Sequence, residues 1–252
     1  MTSKIALVTG GSRGLGKDSA IQLAKKGFHI ILTYQTKREF ADEVVKEIEN
    51  MGQKAFALPL DISTTAGFNQ FANEVKDILD TQFDSAKLDA LVNNAGIGIN
   101  QSFETTTEET LDTMTNIHFK GPYFLTQKLL PLLNDGSSIV NTSSGLARFS
   151  FAGYSAYGAM KAAIDSLSRY QALELGSRKI RVNSIAPGAI ETDFGGGVVR
   201  DISDLNQHIA SETALGRVGL PDDIGSVVAF LCSEDSKWIN AQRIEVSGGY
   251  KI

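Results

Sequence analysis

Residues 5–16 read IALVTGGSRGLG, an apolar run that leads directly into a glycine-rich turn. Residues 17–27, KDSAIQLAKKG, then have the apolar spacing of a helix that begins at the turn. The glycines at positions 10, 14 and 16 permit a tight turn and let the backbone approach a pyrophosphate at the positive end of that helix. A glycine trio alone also suits a flexible loop, but its place between a strand and a helix predicts a dinucleotide-binding turn.

Apolar runs of strand length recur along the chain and predict seven strands. They are residues 5–9, 29–34, 54–60, 88–94, 137–144, 180–187 and 243–246. Runs that are apolar on both faces are typical of parallel strands covered on both sides, and amphipathic segments such as 37–52 and 67–83 predict the covering helices. The sequence therefore predicts an α/β fold, with residues 1–252 forming a single doubly wound Rossmann-type domain.

One segment departs from this alternation of strands and helices. Residues 188–215 are long for a connection and contain three consecutive glycines at 195–197. Long connections of this kind are often functional, and this one is predicted to be a mobile substrate lid.

Composition restricts the classes of partner. The chain has 24 Lys and Arg against 29 Asp and Glu, a net charge of −5, which disfavours a nucleic-acid surface. A single cysteine, Cys232, excludes an internal disulfide framework, and the three histidines are scattered, so no metal site is predicted. The N-terminus lacks a secretion signal and no apolar run is long enough to span a membrane, so we expect a cytoplasmic protein with no membrane partner.

The segment after the second strand bears on the choice between NAD and NADP. NAD sites of this type usually carry an acid at the end of that strand, but residues 33–39, TYQTKRE, contain none before Glu39. Lys37, Arg38 and Arg13 instead form a cationic set that suits the 2′-phosphate of NADP. As an alternative, Lys37 and Arg38 would also be expected at the solvent-exposed start of a helix. The sequence predicts NADP, with NAD less favoured.

Residues 154–161 read YSAYGAMK, with two tyrosines before one lysine. If this stretch is helical, Tyr157 and Lys161 are neighbours on one face. Tyr154 lies seven residues from Lys161, which is about 10 Å along a helix axis. Only Tyr157 is therefore placed to share a proton directly with the lysine.

Five motifs occur in order along the chain: TGGSRGLG at 9–16, NNAG at 93–96, SSG at 143–145, YGAMK at 157–161 and PGAIET at 187–192. Together they closely resemble the short-chain dehydrogenase/reductases, and the resemblance covers essentially the whole chain. It implies an oxidoreductase that transfers a hydride between NADPH and a small carbonyl, a ketone or a ketoester, to give a secondary alcohol.

The resemblance implies a catalytic set of four residues: Asn116, Ser144, Tyr157 and Lys161. Ser144 and Tyr157 have the family's spacing of 13 residues, whereas Tyr154 does not fit and is interpreted as packing or as a pocket wall. Lys161 is expected to lower the pKa of the Tyr157 phenol, so that this group acts as acid in reduction and base in oxidation, and to hold the nicotinamide ribose. Ser144 would polarise the carbonyl, and Asn116 would hold a water that links Lys161 to solvent. Ser143 and Ser144, adjacent on a predicted strand, are expected to point to opposite faces, so that one of them lines the cleft.

The motifs also imply cofactor contacts. Asp61 is expected to contact the adenine amine, with a helix cap or turn as its alternative role. The NNAG motif should brace the sheet and touch the adenine ribose, while the Ile190 backbone and the Thr192 hydroxyl should hold the carboxamide. Together with Tyr157 and Lys161, the predicted cofactor-binding residues are Gly10, Ser12, Arg13, Leu15, Gly16, Tyr34, Gln35, Lys37, Asp61, Ile62, Asn93, Ala95, Gly96, Pro187, Gly188, Ile190 and Thr192.

The substrate is not determined by the sequence. The pocket is expected to be built from residues 94–100, 145–154 and 188–215. Its apolar side chains are Ile97, Phe149, Phe151 and Phe194. They favour an uncharged or aromatic ketone, although they equally suit packing within the lid.

Other functions remain open. A 3-ketoacyl-acyl-carrier-protein reductase would have basic residues before the serine-bearing strand, where this chain has Asp135; Arg178 alone is a weak signal. A free small carbonyl is therefore preferred. A sugar or polyol dehydrogenase working oxidatively is disfavoured because cellular NADP is mostly reduced. A non-catalytic cofactor-binding regulator usually lacks a catalytic residue, and all four are present here.

The resemblance further implies a homo-oligomer, with a tetramer favoured. In the family the subunits meet through long helices and the C-terminal segment. The predicted helix around 103–133 and the closing residues 243–252 are similar to those surfaces.

Overall fold

Seven parallel strands form the central sheet in the computed structural model, which describes residues 4–83 and 87–252. Residues 1–3 and 84–86 of the predicted domain lie outside the described residues. The strands are β1 (Lys4–Val8), β2 (Phe28–Tyr34), β3 (Ala55–Pro59), β4 (Leu88–Asn93), β5 (Leu133–Thr142), β6 (Arg181–Pro187) and β7 (Arg243–Val246). Their order is β3-β2-β1-β4-β5-β6-β7, and each neighbouring pair is parallel, so the predicted α/β class and seven-stranded parallel sheet are confirmed.

Helices cover both faces of the sheet. They are α1 (Gly14–Lys25), α2 (Arg38–Glu49), α3 (Phe68–Gln82), α4 (Glu108–Thr115), α5 (Gly121–Leu129), α6 (Ser155–Glu174), α7 (Val198–Asp201), α8 (Ser203–Ser211) and α9 (Pro221–Cys232). Side chains of β1 alternate between two cores: Ala6 and Val8 pack with α1, α2 and α9, whereas Ile5 and Leu7 pack with α3, α5 and α6. This alternation explains why the strands are apolar on both faces.

The strand order reverses between β1 and β4, which are neighbours although two strands separate them in sequence. In open α/β sheets, ligands bind at such a reversal, beyond the carboxyl ends of the strands. The glycine turn follows β1, the NNAG motif begins at the end of β4, and the SSG motif follows β5. The fold therefore brings these three motifs to one edge of the sheet.

The predicted helix around 103–133 is wrong in its extent. α4 begins only at Glu108, where the Thr107 hydroxyl accepts a hydrogen bond from the backbone N–H of Thr110 at 3.1 Å and caps the helix. A π-helical turn, Asn116–Lys120, then separates α4 from α5, and Leu133 already belongs to β5. β5 accordingly starts four residues before the predicted strand and ends at Thr142 rather than at 144.

The segment 188–215 is not a bare loop. It contains α7 and α8, and Ile190 forms an isolated parallel bridge with Gly219. Ile209 of α8 packs with Val218 and Tyr250 in a small separate cluster, which anchors the end of the segment. Across the described residues, no helix has the length and apolar character required for a membrane span.

Candidate active site

The glycine turn packs closely against the chain that follows β4. Gly10 has a φ of 64°, and a Cβ added there would lie 2.9 Å from Cα of Ala95. A Cβ on Gly16 would lie 2.1 Å from the carbonyl oxygen of Gly10, so both positions require glycine. The Asn94 amide donates to the carbonyl oxygen of Thr9 at 3.0 Å and holds the turn. Asn94 and Thr9 were not among the predicted site residues, although Asn94 belongs to the NNAG motif.

The N-terminus of α1 has the features of an anion site. Arg13, immediately before the helix, makes no side-chain capping hydrogen bond, and the first turn contains no acidic residue. The first N–H groups of the helix are therefore left for a ligand such as a pyrophosphate. Arg13 is mostly exposed and lies 3.6 Å from Asp193 of the segment 188–215.

The adenosine end of the predicted site lies beyond β2 and β3. The Gln35 amide donates to Asp61 at 3.4 Å, and the backbone N–H and hydroxyl of Ser63 donate to the same carboxylate oxygen at 2.9 and 2.7 Å. Asp61 thus organises a turn, which agrees with the alternative role and leaves its carboxylate exposed. The Lys37 ammonium lies 5.0 Å from the ring centroid of Phe40.

The predicted nicotinamide end is bordered by the chain that leaves β6 at Pro187. The Gly188 N–H donates to Val246 at 3.0 Å, which holds this chain beside β7. Further on, Thr192 lies against the glycine turn, because a Cβ added to Gly14 would be 3.5 Å from its methyl group. The Thr192 hydroxyl accepts a hydrogen bond from the Phe194 N–H at 3.2 Å.

The remaining predicted cofactor residues lie at the same edge of the sheet. Ser12 and Leu15 are partly buried in the glycine turn and at the start of α1, and Tyr34 ends β2. Ile62 is buried beside Gly121, and Gly96 lies against His118. Asn93 differs from them because its side chain is buried within the sheet, where it donates to Thr126 at 2.9 Å and to Asn141 at 2.8 Å.

Helix α6 brings Tyr157 and Lys161 onto one buried face, where only 7% and 5% of their surface is exposed. Lys161 Nζ lies 5.5 Å from the Tyr157 ring centroid and donates to the carbonyl oxygen of Thr142 at 2.6 Å. Ser144 Oγ accepts from the Leu146 N–H at 3.1 Å and shares a side-chain hydrogen bond with Tyr157. Three of the four predicted catalytic residues therefore meet.

The two serines of the SSG motif follow β5 rather than forming part of it, so the strand argument for their directions does not apply. They nevertheless point apart. The Ser143 hydroxyl is buried and donates to the carbonyl oxygen of Lys161 at 3.2 Å, whereas Ser144 faces Tyr157.

Burial dominates the electrostatics of the tyrosine and the lysine. It raises the pKa of Tyr157, while the hydrogen bond with Ser144 acts in the opposite direction. Burial also lowers the pKa of Lys161 to about 8, against an opposing effect of Asp165. The expected lowering of the Tyr157 pKa by Lys161 is therefore contradicted: burial raises this pKa, and Lys161 donates instead to the carbonyl oxygen of Thr142. At neutral pH the phenol is protonated, the form that can donate a proton.

The structure places Asn116 and His118 differently from the sequence interpretation. Asn116 starts the π-helical turn, is partly exposed, and its side chain makes no hydrogen bond within residues 4–83 and 87–252. His118 is 1% exposed, and its ring meets the Tyr157 ring edge-on at 5.0 Å between centroids. Its Nε2 lies 2.8 Å from the carbonyl oxygen of Ile97. Sequence reasoning missed His118, since nothing in the sequence marks the π-helical turn.

Aromatic side chains lie beside the Tyr157 ring. The rings of Phe194 and Tyr154 lie 5.5 and 6.3 Å from it, and Tyr154 is partly exposed, which agrees with either of its expected roles, packing or a pocket wall. Ile97 and Phe151 are exposed, and the Phe151 ring lies 6.2 Å from the Tyr154 ring. Phe149 instead packs on Tyr250 at 5.3 Å, so it belongs to the packing of the C-terminal segment.

Comparison with known proteins places this arrangement in a family. A family model described as Enoyl-(Acyl carrier protein) reductase matches residues 10–251. The hydroxynaphthalene reductase-like protein Arp2 of Metarhizium brunneum is 35% identical over 99% of this chain and 95% of its own length.

Two solved structures are similar over nearly their whole length. LugOII, a promiscuous reductase that catalyses keto-reduction at C1 during lugdunomycin biosynthesis, is 35% identical with a TM-score of 0.93, covering 99% of this chain and 98% of its own. The landomycin C-6 ketoreductase LanV, with bound NADP and rabelomycin, is 36% identical with a TM-score of 0.89, covering 99% and 96%. The chain belongs to the short-chain dehydrogenase/reductase family.

Proposed function

We propose that the chain is an NADPH-dependent reductase of a free, uncharged aromatic ketone, with Tyr157 as the proton donor. The observation that carries the proposal is the meeting of Tyr157 and Lys161, on a buried face of α6, with Ser144, which follows β5 at the sheet edge that also carries the glycine turn. These groups can polarise a carbonyl and protonate its oxygen. Ketone reduction requires both from the protein.

The choice of NADP is supported by the residues around the glycine turn. The uncapped start of α1 suits the pyrophosphate, the end of β2 lacks the acid that NAD sites use, and Arg13 and Lys37 provide positive charge. LanV was solved with NADP bound. When bound, NADPH supplies the hydride that reduces the carbonyl carbon.

The chain's own groups handle the substrate oxygen. Ser144 donates a hydrogen bond to the carbonyl oxygen and so polarises it. As the carbon is reduced, the protonated Tyr157 phenol gives its proton to this oxygen, which yields the secondary alcohol and leaves a phenolate. The Lys161 ammonium stabilises the phenolate, and we further propose that it holds the nicotinamide ribose. Burial of both residues keeps water from competing for the proton.

The aromatic walls favour the substrate class. Tyr154 and Phe194 flank the phenol, and stacking on two rings suits a planar aromatic ketone. The names of the relatives support this class, because they refer to hydroxynaphthalene, an aromatic compound, to keto-reduction at C1 during lugdunomycin biosynthesis and to a landomycin C-6 ketoreductase.

The family model's description raises the alternative of a carrier-protein-linked acyl substrate. Docking of an acidic carrier needs accessible positive charge. Arg178 does not provide it, because its guanidinium donates to Asp135 at 2.8 Å and to the carbonyl oxygens of Leu130 and Leu133 at 3.0 and 2.6 Å. This arginine joins β5 to the end of α6 instead, which favours the free ketone.

We also propose that the chain forms a homotetramer. A groove of about 470 Å³ runs between α5 and α6. Tyr170 lines the groove on its α6 side and is 62% exposed, and Leu173, outside the groove lining on the same helix, is 79% exposed. Apolar surface of this kind is typical of protein–protein contacts, and the family resemblance favours a second copy as the occupant.

The test follows absorbance at the reduced-nicotinamide band. Purified protein is mixed with a bicyclic aromatic ketone, a ketoester or a ketoacyl thioester, each with NADPH or NADH. We expect the fastest NADPH oxidation with the aromatic ketone. Activity confined to the thioester would establish the carrier-linked alternative, and equal rates with NADH would overturn the cofactor assignment.

A pair of variants sharpens the cofactor test. Lys37→Ala should raise the KM for NADPH by roughly tenfold or more, because a charge-assisted contact to the 2′-phosphate is lost, and should leave the KM for NADH unchanged. Lys46→Ala, at an exposed lysine near the end of α2, the helix that Lys37 precedes, is the control and should leave both KM values unchanged.

A further inference from the structure

A small cavity lies directly behind the catalytic lysine, between the sheet, the π-helical turn and α6. Its volume is about 10 Å³. Its lining residues are Asn93, Ala95, His118, Pro122, Asn141, Thr142, Lys161 and Ile164. The volume is close to the smallest space in which a water molecule can be held.

Unpaired polar atoms converge on this cavity. Among the described residues, five buried side-chain nitrogen or oxygen atoms lack a hydrogen-bond partner, and three of them belong to lining residues. These three are Asn93 Oδ1, His118 Nδ1 and Thr142 Oγ1. A buried polar atom without a partner is costly, so three at one small cavity indicate an ordered water.

The donors and acceptors can be assigned from the remaining contacts. The carbonyl oxygen of Ile97 can only accept, so His118 Nε2 carries the proton and Nδ1 is an acceptor. Burial and the nearby Lys161 lower the pKa of His118 to about 3, which keeps the ring neutral.

Asn93 offers a second acceptor. Its amide nitrogen donates one proton to Thr126 and the other to Asn141, which leaves Oδ1 free to accept. Lys161 donates one ammonium proton to the carbonyl oxygen of Thr142 and has two more, and the Thr142 hydroxyl can also donate. The cavity thus presents two acceptors and two donors, which complement the two protons and two lone pairs of water.

We propose that one water molecule occupies this cavity, donating to His118 Nδ1 and Asn93 Oδ1 and accepting from Lys161 and Thr142. His118 is then a positioning residue. It holds the water so that the water oxygen accepts a hydrogen bond from the Lys161 ammonium, and this hydrogen bond favours the charged form of Lys161. The sequence-based prediction gave this role to Asn116, whose side chain is not part of the cavity lining.

The role of His118 in catalysis rests on the proposed function, whereas the presence of the water does not. The ionisable groups that face Lys161 are Tyr157 and Asp165 from α6 and His118 from the π-helical turn. Removing the acceptor at His118 therefore lowers the pKa of Lys161, because the water that solvates the ammonium loses a partner.

The experiment compares wild type, His118→Leu and His118→Asn. His118→Leu removes the acceptor; we expect kcat for ketone reduction to fall about tenfold or more and its alkaline midpoint to move down by about one pH unit, with little change in the KM for NADPH. His118→Asn retains an acceptor near the position of Nδ1, so its kcat and its alkaline midpoint should be close to those of wild type. Asn116→Ala should have the smaller effect.

High-resolution crystal structures of the full chain complete the test. We expect a single water peak in the cavity of wild type and His118→Asn and none in His118→Leu. An empty wild-type cavity would overturn the water site. A wild-type midpoint in a folded His118→Leu protein, or a larger loss in Asn116→Ala, would overturn the positioning role of His118. If wild type reduces no ketone, the proposed function fails, and the crystal structures still decide the water site. If His118→Leu does not fold, the wild-type and His118→Asn structures decide it.

Discussion

At the scale of single residues, burial determines which proton the site can move. Tyr157 and Lys161 share a buried face of α6, and burial favours the neutral form of each group. The phenol therefore keeps its proton through the physiological range, while the lysine titrates near pH 8. A site of this kind is prepared to protonate a carbonyl oxygen but depends on the charge of one lysine to stabilise the phenolate that remains.

The pH dependence of reduction follows from the lysine. The pKa of Lys161 is lowered from its usual value to about 8, so its charged form is present below that pH and is lost as the pH rises through it. We expect kcat for reduction to fall with an alkaline midpoint near 8, measured by NADPH absorbance at saturating ketone.

Lys161→Met should reduce kcat at all pH values and remove this midpoint, whereas Lys46→Met, an exposed lysine on α2, should retain it. An unchanged midpoint in Lys161→Met would show that another group titrates.

The sequence could predict the pair Tyr157 and Lys161, because a spacing of four residues has one geometric meaning in a regular helix. It could not predict the relation between His118 and Tyr157. The π-helical turn at Asn116–Lys120 changes which residues face α6, and no residue type marks such a turn. Asn94 was missed for another reason, since its contacts with the glycine turn join segments more than 80 residues apart.

At the scale of elements, an ionic cluster ties α6 to β7 and to the serine-bearing segment. The guanidinium of Arg243 donates to Asp165 at 2.9 Å and to the carbonyl oxygen of Ser144 at 3.1 Å. Asp165 also accepts from the Ser184 hydroxyl at 2.8 Å. The cluster therefore fixes the distance between the strand ends and the helix that carries Tyr157.

Removing Arg243 should weaken this cluster. Arg243→Met removes the ion-pair partner of Asp165 in a largely buried position and leaves it only the Ser184 hydroxyl, and we expect the free energy of unfolding to fall by about 3 kcal/mol in a urea titration. Activity should fall as well, because the Ser144 carbonyl oxygen loses its donor.

Arg38→Met provides the matched control. Arg38 forms an exposed pair with Asp42 at 3.5 Å and should affect stability little. Equal stability losses in the two variants would contradict the importance assigned to burial.

The segment 188–215 contains elements that the sequence pattern did not predict. The three glycines 195–197 have φ values of 62, 80 and 79°, which explains the glycine run at this point. The run itself predicted neither α7 and α8 nor the packing of Ile209, because those depend on contacts with the C-terminal segment. That the segment moves as a lid remains a prediction.

At the scale of the whole molecule, the strand order and the similarity to the ketoreductases extend over the full sheet. The sequence predicted this level best, since seven apolar runs separated by amphipathic segments allow few other arrangements. Strand and helix ends were less accurate, because capping and the start of β5 depend on local contacts such as that of Thr107.

Assembly is a testable property at this scale. We expect light scattering coupled to gel filtration to give four times the 27.1 kDa chain mass. The double variant Tyr170→Glu and Leu173→Glu places charge on the α6 face and should produce a smaller species. Trp238→Glu, an exposed aromatic position outside α6 and outside residues 103–133 and 243–252, is the control. A monomeric wild-type protein, or a double variant of unchanged mass, would contradict the assignment of this face.

The most direct measurement compares wild type, Tyr157→Phe and Tyr154→Phe in one assay of NADPH oxidation with a bicyclic aromatic ketone. Tyr157→Phe removes only the phenolic oxygen, so kcat should fall by about 100- to 10,000-fold while NADPH binding, followed by fluorescence, is retained. Tyr154→Phe retains the aromatic wall and should stay within a few-fold of wild type. Wild-type turnover in Tyr157→Phe would show that this phenol is not the proton donor.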